Sequence, residues 1–222
     1  MFDLIIENHS LLLLLEHFEI DFTVNNKTVE EICKENNINP EIFIAIGNIY
    51  NGYNPSKITN INNDDIHCIL KMLKNTHQYY KQDKYPEIQE YVRELYENNN
   101  SAEIVLVEKF FNEYFTEVIE HLDYEDDIAF PYFSQLLEID MQNKNIDFSA
   151  YTYKEHHTDI ESKLADLKNL LLKHLNLKND LSLRRKLIFS LFELEFDLNV
   201  HSLIEEKLLI PMIQKIEKRK HE

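Results

Sequence analysis

Glycine is nearly missing from this 222-residue chain, which contains 2, and tryptophan is missing altogether. With only Gly47 and Gly52 to draw on, no glycine-rich phosphate loop can be assembled, neither a Walker A loop nor a Rossmann fingerprint. Nucleotide chemistry built on such loops is therefore not expected. Proline is scarce as well, at 5. A chain short of both residues lacks the turn makers that β-rich folds consume, so the composition favours helices. Cysteine occurs only as Cys33 and Cys68, with no C-x-x-C pair. That is no disulfide framework, and it fits a reducing compartment. Basic residues are the next shortage: 23 Lys and Arg stand against 40 Asp and Glu, a formal net charge of -17. A surface so acidic repels phosphate backbones and anionic headgroups, so neither nucleic acid nor membrane is expected as a partner. LRRK at 183–186 and KIEKRK at 215–220 are the basic clusters, and the second reads as a helix C-terminus, where cations complement the dipole. Long apolar runs are absent too. The opening MFDLIIENHSLLLLLEHF is interrupted by Asp3, Glu7 and Glu16 and has no basic leader, so it reads as neither signal peptide nor membrane span. A cytoplasmic protein is expected.

Hydrophobic residues make up 44% of the chain, enough for a packed core. Residues 1–50 read as short helices: LIIENHSLLLLLEHF, then KTVEEICKENN, then PEIFIAIGNIY. Thr28 is the expected N-cap of the second, with Glu31 completing a capping box. NGYNPSKITNINN at 51–63 gathers Asn, Gly, Pro and Ser and marks a linker. Beyond it, apolar residues recur at helical spacing: Ile66, Ile69, Leu70 and Leu73; Ile104, Val107, Phe111, Tyr114, Phe115 and Val118; Ile160, Leu164, Leu167 and Leu171; Leu187, Leu191, Leu194 and Leu198. Pro86 permits a break or kink after the first stripe. The fold expected is all-α: a small helical N-terminal domain over 1–57, then an antiparallel four-helix bundle over 58–222, with loops near 142–150 and 176–181.

Two stretches share one skeleton, H-x3-E-x5-P: HLDYEDDIAFP from His121 to Pro131 and HSLIEEKLLIP from His201 to Pro211. Residues i and i+4 of a helix share a face, so each histidine and its glutamate aim at one point. One H-x3-E in a glutamate-rich chain is unremarkable; two with a proline at the same offset are not. His121 and His201 are 80 residues apart, and so are His77 and His157. The chain thus reads as two halves, His77 with His121 and Glu125, and His157 with His201 and Glu205. Only His157, not the adjacent His156, keeps the register. Packed together, the halves bring four imidazoles and two carboxylates into a core, a set too polar to bury cheaply without cations. Imidazole and carboxylate without thiolate suit iron or manganese. The expected ligands are therefore His77, His121, Glu125, His157, His201 and Glu205. Each of two ions takes two histidines, Glu125 and Glu205 bridge them, and an oxo or hydroxo group completes the bridge. Ferritin-like Glu-x-x-His and zinc-protease H-E-x-x-H patterns do not fit this order.

Both ligand turns, proline included, resemble those of the hemerythrin-like family, whose mark is a His-x3-Glu on bundle helices around a non-haem di-iron centre. THQYYKQDKYPEI and EHHTDIESKLADL resemble the helices that carry its single histidines. IDFTVNNKTVEEICKENNI at 20–38 is similar to the N-terminal module of the family's proteins for repair of iron centres. The resemblance implies two iron ions, nitric oxide or dioxygen as ligands, and damaged iron–sulfur proteins as clients. Where that module carries adjacent cysteines after Asp-Phe, this chain has Asp21-Phe22-Thr23-Val24-Asn25-Asn26, so a role needing a thiol pair there is not expected. Cys33 reads as a buried small hydrophobe.

Glu117 and Asp197 each precede a ligand histidine by four residues, and read equally as helpers of the ligands or as solvated acids. Glu161 follows His157 by one turn, but its counterpart in the first half is Lys81, which argues against a third bridging carboxylate. His156 reads as exposed. The leading expectation is an iron protein of oxidative and nitrosative stress defence. Its rivals are a reversible dioxygen carrier or redox sensor, and a metal-free helical protein; whether the chain is an enzyme is left open.

Overall fold

A computed structural model describes residues 1–56, 58–59, 61–99, 101–138, 149–156, 161–173 and 179–221. Among them the structure is all-helical, with no strand. The helices are α1 (Phe2–Glu7), α2 (Leu11–His17), α3 (Val29–Glu35), α4 (Pro40–Tyr50), α5 (Asn63–Tyr79), α6 (Tyr85–Asn99), α7 (Ala102–Tyr124), α8 (Phe130–Glu138), α9 (Ala150–His156), α10 (Glu161–Lys173), α11 (Leu181–Ile204) and α12 (Ile210–His221). Three π turns join consecutive helices without a loop: π1 (Tyr80–Lys84), π2 (Glu125–Ala129) and π3 (Glu205–Leu209). The break that Pro86 permits does not occur; α5 runs through π1 into α6. The loops expected near 142–150 and 176–181 fall largely outside the described residues. No described helix is long and apolar enough to cross a membrane.

The chain forms two compact units, one of residues 1–76, 129–156 and 200–222, the other of 77–128 and 157–199. In the first, the short N-terminal helices are set by local signals. The Thr28 hydroxyl accepts the Glu31 N–H at 3.2 Å while Glu31 accepts the Thr28 N–H at 2.8 Å, the reciprocal box that the sequence announces. Asn39 caps α4 through the Glu41 N–H, and Pro40 stands where no N–H is needed. Gly52, at φ +75, lies just past the end of α4 and lets the Tyr53 N–H reach the Asn48 carbonyl at 2.9 Å. The core here is Leu14, Leu15, Ile42, Ala45 and Ile46, all fully buried. The Asn75 side chain donates to the His17 carbonyl at 2.8 Å and ties α5 to α2. Further along, Glu217 on α12 accepts from the Tyr132 hydroxyl at 3.0 Å and from the Ala150 N–H at 2.9 Å, joining α12 to α8 and α9.

The second unit is held by aromatic stacking and one buried cation. Tyr85 lies parallel to Phe115 with centroids 4.0 Å apart, which locks α6 on α7. Lys84 is 7% exposed and bonds to Glu87 at 2.7 Å and Glu193 at 2.5 Å, so its charge enters the interior paired. Every residue of the α7 stripe from Ile104 to Val118 that the sequence marks as apolar is buried.

Both cysteines are free, and Cys33 is fully buried. Burial, with a smaller contribution from Cys68, pushes its thiol up to about 11. Thiolate is the reactive form, so at about pH 8 a thiol reagent should label the native protein at Cys68 and spare Cys33. In denaturant both should react. Equal labelling rates in the native state, read by peptide mass spectrometry, would contradict this burial.

Candidate metal centre

Within the second unit two helices bring histidines to one carboxylate. Glu125, the first residue of π2, is wholly buried. His77 from α5 places Nε2 3.3 Å from its Oε2, and His121, one turn earlier on α7, places Nε2 3.1 Å from its Oε1. Two imidazoles thus face the two oxygens of one side chain. Behind His77, Nδ1 lies 2.9 Å from Asp126 Oδ1. Lys81 holds the other oxygen of Asp126 at 3.2 Å and reaches Asp123 at 2.7 Å. Burial pushes the Asp126 carboxyl up, but the His77 and Lys81 bonds outweigh it and hold the group below the usual carboxylate range. The same contest ends the same way at Lys81: burial favours the neutral amine, and its two aspartates keep it charged.

The first unit carries a related arrangement around the second skeleton. His201 places Nε2 3.3 Å from Oε1 of Glu205, which opens π3 and is wholly buried. The Tyr153 hydroxyl donates to the same oxygen at 2.6 Å. Behind His201, Nδ1 lies 2.6 Å from the Thr76 hydroxyl, which itself donates to the Leu73 carbonyl at 2.6 Å.

These outer bonds fix the imidazole tautomers. An ionised Asp126 only accepts, so His77 Nδ1 carries the proton; the Thr76 hydrogen is spent on Leu73, so His201 Nδ1 must carry one too. In a neutral ring, both Nε2 atoms are then left as lone pairs pointing at carboxylate oxygens. Two such atoms face each other at about 3 Å with a proton or a metal ion between them. The donor set therefore fits a cation. The buried His77 and Glu125 of the second unit belong to a His/Glu group that could hold a metal ion.

Of the six residues expected as ligands, His77, His121 and Glu125 gather in one unit, and His201 and Glu205 pair in the other; His157 lies outside the described residues. The backbone of His156 closes α9. Glu117 and Asp197, matched in the sequence, part company: Glu117 is exposed, whereas Asp197 is 1% exposed and accepts from the Tyr80 hydroxyl at 2.9 Å. Sequence reasoning missed Asp126, Thr76 and Tyr153. For Asp126 a signal existed, since the residue 80 positions on is Glu206, another carboxylate. Thr76 and Tyr153 have no such echo. No protein-family model, curated protein or solved structure matches the chain.

Asp126→Asn keeps the shape and removes the charge that orients His77. Outer partners of metal-bound histidines are worth roughly 10–100-fold in metal affinity. Chelator competition should show a loss in that range, and an unchanged affinity would show that Asp126 does not support the ligand.

Proposed function

We propose that the chain is a non-haem di-iron protein of oxidative and nitrosative stress defence, acting in a reducing, cytoplasmic setting on damaged iron–sulfur clusters. In this reading residues 58–222 form a hemerythrin-like antiparallel four-helix bundle and residues 1–57 a small helical domain. The observation that carries it is the placement of His77 and His121 on opposite oxygens of one buried carboxylate, Glu125. A carboxylate so flanked is suited to bridge two ions, one beside each imidazole. Glu205 with His201, and by register His157, supply the matching half. The all-nitrogen and oxygen donor set favours iron or manganese over softer metals. Resemblance of the two ligand turns to those of di-iron proteins selects iron.

Bound iron would supply gas binding and electron transfer. The chain's own contribution is to hold the ligands rigid. Asp126 and Thr76 fix His77 and His201 as Nδ1–H tautomers with Nε2 directed inward, and the Tyr153 hydroxyl anchors Glu205. Buried carboxylates offset the charge of the ions, which helps retain them away from water. The free cysteines suit a reducing compartment. Nitric oxide or dioxygen is the small ligand in this reading, and oxidised or nitrosylated iron–sulfur proteins are the clients.

The test has two parts. Metal analysis of the purified protein should find two irons per chain. One equivalent of the loaded protein, added to a nitrosylated iron–sulfur enzyme, should restore its activity faster than free iron does. Two irons without any gain over free iron would remove the repair role. A lasting oxygenated spectrum on mixing the reduced protein with dioxygen would then favour a carrier.

A further inference from the structure

Pro131 and Pro211 complete the doubled skeleton, yet nothing in metal ligation calls for a proline. We infer that both are positioning residues, each stabilising the π turn that opens on Glu125 or Glu205. The inference rests on the di-iron reading above.

Three π turns occur among the described residues, and each is followed, two residues past its last member, by a proline. Lys84 leads to Pro86, Ala129 to Pro131 and Leu209 to Pro211. The other prolines lie elsewhere, Pro40 in the first turn of α4 and Pro55 in the linker. The coincidence has a steric cause. In an α-helix a proline ring collides with the carbonyl four residues back and has no N–H to offer it. Those carbonyls belong to Gln82, Asp127 and Lys207, in each case the middle residue of a π turn. There the ladder no longer runs in α register: the Tyr85 N–H reaches the Tyr80 carbonyl, and the Ile210 N–H reaches the Glu205 carbonyl, each across five residues.

Each feature is unfavourable alone. A π turn holds an extra residue whose carbonyl has no α partner, and a helix left to itself expels it. An interior proline strands a carbonyl and crowds it. Together they offset one another, because the widened turn moves the carbonyl from the ring, and the missing donor cannot draw the ladder back to α. The proline therefore selects the widened form. What the widening secures is the glutamate. Val118 and Leu122 before π2, and Phe130 and Phe133 after it, are all buried, and Glu125 between them is buried without loss to either apolar face. Around π3 the same holds for Leu198 and Ile204 before, Ile210 and Ile213 after, and Glu205 at the turn.

The test compares wild type with Pro131→Ala, Pro211→Ala, and a variant combining deletion of Asp127 with Pro131→Ala, which leaves a plain α-helix in unchanged flanking register. Pro40→Ala, remote from the glutamates, controls for loss of a proline as such. Circular dichroism should show full helicity and a melting temperature at or above wild type for every variant. Iron should fall from two per chain to one or fewer in the three π-turn variants. Chelator should strip the remaining iron at least about 10-fold faster, the scale expected when support of a ligand is lost, with a changed absorption spectrum; Pro40→Ala should match wild type. Folded variants with two irons, the wild-type spectrum and the wild-type stripping rate would overturn the inference. So would unfolding of the deletion variant, since a continuous α-helix should be no less stable. Wild type without iron would instead sink the di-iron reading, and this inference with it.

Discussion

On the proposed di-iron reading, Glu125→Ala should empty both metal positions at once. The two oxygens of this side chain face Nε2 of His77 at 3.3 Å and of His121 at 3.1 Å, so one truncation withdraws an anion from each imidazole. Losing an outer partner costs roughly 10–100-fold in affinity; losing a shared direct ligand should cost more than that for each ion. Iron per chain should fall to near zero after brief chelation that leaves wild type loaded. Stability should move in the opposite sense when metal is absent. Glu125 is wholly buried, and a carboxylate enclosed without its metal is costly to desolvate. Metal-free Glu125→Ala should thus melt at or above metal-free wild type, while with iron present wild type should melt higher. A variant that keeps both irons would show that the imidazoles, not the bridge, hold them.

Phe115→Ala should give the largest loss of stability. Phe115 is fully buried, stacked on Tyr85 at 4.0 Å and tilted against Phe111 at 5.9 Å, so its ring fills the seam between α6 and α7. Truncating a buried phenylalanine costs about 3–5 kcal/mol through lost transfer energy and the cavity left behind. The stacked pair adds about 0.5–1.5 kcal/mol. At about 2–4 °C per kcal/mol for a chain of this size, the melting temperature should drop by roughly 7–26 °C. Calorimetry measures this directly. A shift under about 2 °C would mean that the seam collapses around the missing ring. In the cold, where the variant stays folded, its iron content should match wild type, which separates packing from ligation.

The contrast between these two residues shows what a sequence exposes. Phe115 belongs to a stripe at helical spacing, and the structure buries the whole of that stripe. Periodicity is a property of one helix, so it can be read from one segment. The Thr28 box and the Gly52 helix end are equally local. Glu125, His77 and His201 stood out for a different reason, a repeated spacing that has no use unless distant segments meet. The outer bonds of Tyr153 and Thr76 are not legible in this way. Tyr153 reaches Glu205 across 52 residues and Thr76 reaches His201 across 125, and neither has a counterpart at the repeat distance. Asp197 and Glu117 looked equivalent because spacing ignores burial; only packing places one inside and the other in water. Pro86 permits a break or kink under the ordinary steric rule, and no break occurs where a π turn stands before it.

Anomalous diffraction from crystals of the iron-loaded protein, collected above and below the iron absorption edge, locates the metal. Two iron peaks per chain should appear, one beside His77 Nε2 and one beside His121 Nε2. A map with no iron peak there, or with iron bound only at the acidic surface, would contradict the di-iron reading.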